Sequence, residues 1–174
     1  MKSRALAALF LAGCGYHAVA GRAAPAERFA VVLSHTNVPD VVASDEVLAG
    51  VREELARTGA LRPGDAYPRC EIEVLRADEV SDGVAAVRDP SHGGALQPVA
   101  RGTRVGIVAR AWIVREKDGP RERDTGDVRA LDEIAAAPDA RAASFQYADG
   151  MRAAGRRLGH QLGAHLVGLP STTE

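Results

Sequence analysis

TRVGIVARAWIVR, from Thr103 to Arg115, alternates with the two-residue period of a β-strand. Val105, Ile107, Ala109, Ala111 and Ile113 form one apolar face. Arg104, Val108, Arg110, Trp112 and Val114 fall on the other, which is only partly polar. Upstream, Arg69 to Glu79 alternates in the same way, with Cys70, Ile72 and Val74 pointing to one side and Glu71 and Glu73 to the other. Downstream, Lys117-Asp118-Gly119-Pro120 is a turn signal. Arg121 to Leu131 then returns as a third, weakly alternating strand, which Gly126 and Arg129 mark as an edge. Arg28 to Ser34 (RFAVVLS) is a short apolar run suited to a buried strand, followed by a turn-rich connection from His35 to Val42.

Ser44 to Thr58 has helical periodicity. Ser44 is a suitable N-cap, Asp45 and Glu46 suit the first turn, and Val47, Val51 and Leu55 recur at i, i+4 and i+8. Gly59 supplies the stop. Ala135 to Ala143 is alanine-rich and interrupted by Pro138. A long helix is expected from Ser144 to Leu166, with Met151, Leu158, Leu162 and Leu166 as its apolar stripe, and Pro170 is expected to end it. Gly155, Gly159 and Gly163, four residues apart, each cost a helix about 1 kcal/mol and are expected to allow close packing on a sheet. The order is strand, helix, three strands, helix. The economical solution is an α+β fold: a single sheet of about four strands with two helices packed on one face, βαβββα. Ser81 to Gly102 is a long glycine- and proline-containing segment, of which Val84 to Val87 would extend the preceding strand.

The start of the chain has a different character. Lys2 and Arg4 precede an apolar run, Ala5 to Ala12, and then Leu11-Ala12-Gly13-Cys14. This is a bacterial signal-peptide pattern, and the tetrapeptide resembles the lipobox, whose cysteine is acylated and becomes the first residue of the mature protein. The run is about half of what spans a bilayer. Acyl chains (diacylglycerol and an amide-linked chain such as palmitate) on Cys14 would anchor the protein without a span, each buried methylene contributing about 0.8 kcal/mol. Gly15, rather than aspartate, follows the cysteine, which favours the outer membrane with the domain on its periplasmic side. The expected organisation is a signal peptide over 1–13, a lipidated N-terminus and flexible tether over 14–27, an α+β domain over 28–169 and a tail over 170–174.

Composition narrows the function. Lys and Arg total 22 against 23 Asp and Glu, and maturation would remove two of the cations, so general nucleic-acid binding is not supported. Cys70 has no partner in the chain if Cys14 is acylated, so it is expected to be a small buried hydrophobe. No HExxH, CxxC, GxSxG or P-loop occurs. His160 and His165 are five apart, not the three or four that brings two ligands together, and His92 beside Gly93-Gly94 is a lone loop histidine. The expectation is a protein that is not an enzyme and holds no metal or cofactor beyond the covalent lipid.

Cys14-Gly15-Tyr16-His17, with Gly21 a few residues on, resembles the mature start of the LPS-assembly lipoprotein family (LptE). Phe29 to Leu33, the Thr36-Asn37-Val38-Pro39 turn and the helix after it follow the same succession. The resemblance implies a non-catalytic subunit that sits as a plug inside the outer-membrane β-barrel translocon of lipopolysaccharide. Such a subunit supports assembly of that barrel and delivery of lipopolysaccharide to the outer leaflet. Arginine forks match phosphate geometry, and Arg88, Arg101 and Arg104, near the 81–102 segment, are the candidates for contact with lipopolysaccharide or the barrel. Arg104 and Arg110 also lie on a strand face that would meet barrel-lining side chains. The alternatives are another outer-membrane accessory lipoprotein, such as a pilotin that chaperones a secretin, and an enzyme domain on a lipid tether.

Overall fold

The computed structural model describes residues 27–81, 83–89, 93–100, 102–135 and 139–169. The order is β1 (Ala30–Thr36), α1 (Val41–Arg57), β2 (Arg69–Ser81), β3 (Val84–Asp89), β4 (Ala95–Ala100), β5 (Thr103–Val114), β6 (Val128–Ile134) and α2 (Ala140–Leu166). β1, β2, β5 and β6 form one mixed sheet in the order β1-β2-β5-β6. β1 runs parallel to β2, the crossover between them being α1, while β2, β5 and β6 form an antiparallel meander. This is the expected α+β arrangement with the expected βαβββα order in its main sheet.

Both helices cover the same face. Val105, Ile107, Ala109, Ala111 and Ile113 of β5 are fully buried there with Cys70, Ile72 and Val74 of β2. Val47, Val51 and Leu55 of α1 and Met151, Leu158 and Leu162 of α2 close the layer from above. Each valine, isoleucine, leucine or methionine among them contributes about 1.5–3 kcal/mol by leaving water. The opposite face is mixed, with Val108, Trp112 and Val114 of β5 buried among ion pairs. Arg69 pairs with Glu71 at 2.6 Å, Arg110 with Glu73 at 2.8 Å and Arg129 with Asp78 at 2.8 Å. Trp112 is buried beneath the Arg121 guanidinium, 3.8 Å from the ring centroid.

Several boundaries differ from the sequence reading, each for a local reason. α1 starts one turn earlier than Ser44, because Asp40 is the N-cap and its carboxylate accepts from Ala43 N at 3.2 Å. Ser44 is buried instead, its hydroxyl 3.1 Å from Thr36 Oγ1, and Asp45 and Glu46 lie beyond the first turn. α2 likewise starts at Ala140, capped by Asp139 on Ala142 N at 2.8 Å. Both helices stop in the same way. Gly59 and Gly168 take positive φ, and Ala60 N and Leu169 N reach back to Leu55 O and Ala164 O, the pattern of a Schellman motif. α2 therefore ends before Pro170, which lies outside the described residues. The return strand starts at Val128, because Arg123 and Gly126 take positive φ and keep 121–127 irregular, although Glu122 still bridges to Ile113.

Gly155, Gly159 and Gly163 serve the other helix rather than the sheet, whereas Gly150 of α2 faces Val105 and Ile134 of the sheet. A Cβ on Gly159 would lie 2.2 Å from Val47 O, and one on Gly50 2.3 Å from Arg156 O. Gly155 faces Ala43 O and Gly163 faces Glu54, so the two helices run in the same direction in backbone-to-backbone contact. α2 is ten residues longer than α1, and its first turns overhang the start of α1.

The 81–102 segment is a hairpin. β3 does not continue β2 within the main sheet. It pairs antiparallel with β4 from Val84↔Ala100 to Asp89↔Ala95, as a separate two-stranded ribbon. Because β2 and β5 pair as far as Ser81↔Thr103, this ribbon emerges as an arm from the end of the sheet.

Candidate functional site

The end of the molecule that carries the arm gathers most of what is chemically distinctive. All the exposed large hydrophobic side chains among the described residues lie there: Leu96 on β4, Val41 and Val42 at the start of α1, and Phe145 on the α2 overhang. Tyr147, on the same overhang, is half-buried. Burial pushes its phenol up from the ordinary value, with the charges of Glu79 and Asp40 adding to the effect. A cleft of about 340 Å³ lies beside it, lined by Glu79, Thr103, Ile134 and Gln146. Gln146 Oε1 is buried there without a hydrogen-bond partner among the described residues. Such an acceptor carries a desolvation cost of about 1–3 kcal/mol, which a donor from a bound molecule would remove.

The arginines marked in the sequence are distributed along this end. Arg88 is exposed on β3, opposite Leu96 in register. Arg104 is exposed at the foot of the arm, at the start of β5, between Val80 of β2 and Glu133 of β6. Arg101 lies outside the described residues, as do Cys14, His17 and His92. Arg110, by contrast, is held on the outer sheet face by Glu73, which keeps its guanidinium more firmly charged than usual.

Cross-strand pairing supplies partners for Arg104 that spacing did not reveal. Arg104 lines an open cleft of about 560 Å³ with Arg129 of β6 and Arg157 of α2, together with Asp132, Glu133 and Gln161. Arg157 donates to Leu131 O at 2.5 Å and to Asp132 Oδ1 at 3.0 Å. Arg129 is bound to Asp78. Each guanidinium carries five donors, so these ion pairs orient the forks without using all their N–H groups. Counting Asp78, three cations meet three acids around this open cleft, and the ion pairs of Arg129 and Arg157 hold their guanidinium forks at its surface.

No family model matches the chain, and no curated protein matches it. Among solved structures it is similar to a candidate lipoprotein from Caulobacter crescentus CB15, at 15% identity, covering 80% of this chain and 93% of the other, with a TM-score of 0.46. It is similar to a minor lipoprotein from Acinetobacter baumannii, at 11% identity, covering 83% and 96%, with a TM-score of 0.49. A third, uncharacterized lipoprotein B from Nitrosomonas europaea, shares 13% identity over 79% of this chain and 83% of its own, with a TM-score of 0.39. No helix among the described residues is long and apolar enough to cross a membrane.

Proposed function

We propose that this protein is a lipid-anchored outer-membrane lipoprotein that serves as the plug and assembly subunit of a lipopolysaccharide-translocating β-barrel. The observation that carries the reading is the order of elements behind Cys14-Gly15-Tyr16-His17. The strand, crossover helix, three-stranded meander and long final helix follow that start in the succession the LPS-assembly lipoproteins imply. The anchor is Cys14, and it fixes how far the domain can lie from the bilayer. Twelve residues lie between Cys14 and Glu27, a contour of about 45 Å at most. The chain enters the sheet where β1 pairs with the start of β2, at the end away from the arm, and Glu27 is tied there to Arg115. A tether from that end leaves the arm, the exposed apolar side chains and Arg104 turned toward a partner. The arginines at Arg88, Arg101 and Arg104 are assigned to phosphates of lipopolysaccharide or to acidic side chains of the barrel.

The test is affinity purification of the tagged full-length protein from detergent-solubilised outer membranes, with mass spectrometry of what accompanies it. A stoichiometric lipopolysaccharide-translocating barrel is expected. A secretin in its place would establish the pilotin reading instead. Cys14→Ser should release the domain from membranes lacking the barrel. Retention through high-salt washing would overturn the lipid anchor.

A further inference from the structure

We infer that the recess beneath the first turns of α2, lined by Glu79, Ser144 and Gln146, binds a primary ammonium on an alkyl stem, the group that a lysine side chain or a free alkylamine carries. The inference goes beyond the barrel function proposed above and does not depend on it.

The recess follows from the unequal lengths of the two helices. α1 starts at Val41, and Gly155 of α2 already lies beside Ala43 O. The turns of α2 that precede Gly155 therefore extend past α1. Below them the core face of the sheet changes character. Val105 is buried there against Gly150. Cross-strand partners share a face, and so do residues two apart on one strand. Glu79, opposite Val105, and Thr103, two residues before it, thus lie on that same face. Glu79 is exposed and Thr103 half-buried, so the apolar layer gives way to a carboxylate and a hydroxyl. With Ser144, Gln146 and Tyr147 above, they line the cleft of about 340 Å³. That is near the lower end of the about 300–1,000 Å³ common for ligand pockets.

The chemistry of the lining selects a donor. Gln146 Oε1 is buried without a hydrogen-bond partner among the described residues. Ser144 donates its hydroxyl proton to Arg141 O at 2.8 Å, which leaves the lone pairs of its oxygen for another donor. The Glu79 carboxylate adds a third acceptor. None of the lining residues is a cation. Arg141, on the same turns, lies over the exposed Phe145 ring instead, 5.8 Å from its centroid. An ammonium brings three donors and no acceptor, so three acceptors satisfy it, whereas a guanidinium brings five donors and would leave some unpaired. Ile134, Ala135 and Ala143 supply an apolar wall for an alkyl stem. Burial first, and then the charges of Glu79 and Asp40, push the Tyr147 phenol up. Those two charges favour a cation in the same place.

The test titrates the full-length protein, in a non-ionic detergent, with Nα-acetyl-lysine amide and follows the backbone amide resonances. Those of Glu79, Thr103, Gln146 and Tyr147 should shift together and saturate by about 10 mM. The norleucine derivative, which has the stem without the ammonium, should leave them in place. Butylamine separates the two sources: weaker binding than the lysine derivative assigns a side chain, and equal or tighter binding assigns a free amine. Glu79→Gln should weaken binding about tenfold at wild-type melting temperature. Gln146→Leu should also weaken it while melting no lower than the wild type, because it removes a buried acceptor that has no partner. No saturable shift up to that concentration, the same shift from the norleucine derivative, or full affinity in either variant overturns the inference. So does a lower melting temperature of Gln146→Leu, which would show that Oε1 is already paired.

Discussion

Gly159 shows how much a single residue decides here. By helix propensity alone, Gly159→Ala would gain about 1 kcal/mol. The added Cβ would however meet Val47 O at 2.2 Å and Gly50 Cα at 2.8 Å, both backbone atoms of α1 that no rotamer change can move. Overpacking of this kind costs about 1–3 kcal/mol or more, so the steric effect wins and Gly159→Ala should destabilise the domain in chemical denaturation. Glu54 sits beside the same seam. Its buried carboxylate takes both Nε and Nη2 of Arg57, at 3.0 and 2.5 Å, and lies 3.7 Å from His160 Nδ1. The hydrogen bonds from Arg57 lead in holding it below the usual carboxylate range, burial opposes them, and the charges of Arg57 and His160 add to the lowering. A carboxyl with a depressed folded-state pKa contributes stability that is present above its unfolded value and is lost as pH falls through the folded one. Wild-type melting temperature should therefore fall in acid below about pH 4.3. Glu54→Gln should flatten that part of the profile and cost stability near neutrality. Burial pushes the Cys70 thiol up to about 12, with the Glu71 charge adding to the effect, as expected of a packed hydrophobe rather than a reactive group.

The elements themselves were legible in the sequence wherever periodicity ran long. Val105 to Ile113, Cys70 to Val74, and the stripes of both helices occupy the core faces their spacing assigned. Helix starts were less legible, because several residues nearby were able to cap. Ser44 and Asp40 both suit an N-cap, and the structure uses Asp40 since Ser44 is drawn under the helix to Thr36. Asp40→Ala should accordingly cost about 1 kcal/mol, measurable as a shift in the denaturation midpoint at unchanged slope. The arm was not legible as a hairpin, because Val84–Asp89 and Ala95–Ala100 pair with each other outside the main sheet. Their sequences, VAAVRD and ALQPVA, lack the strict polar–apolar alternation that marks a strand.

At the scale of the whole molecule, the sheet brings together residues far apart in sequence, and the candidate anion site depends on that. Arg104 was marked by its nearness to the 81–102 segment. Arg129 and Arg157 join it only because β6 pairs with β5 and α2 crosses β6. A charge-assisted hydrogen bond to phosphate is worth about 1.5–3 kcal/mol. The double variant Arg88→Ala/Arg104→Ala should thus melt like the wild type while retaining about tenfold less lipopolysaccharide on purification. Unchanged retention would remove these arginines from the ligand contact. By itself the sequence determined the α+β class, the strand and helix faces, and the lipobox-like start at Cys14, because each is written in local spacing or in a contiguous motif. Tertiary structure alone decided that the helices meet through glycine, that Arg52 and Arg157 reach carbonyls of the main sheet's two edge strands, and that β3 and β4 pair as a ribbon apart from that sheet. Those features depend on which backbones approach in space, and no local pattern of side chains encodes that.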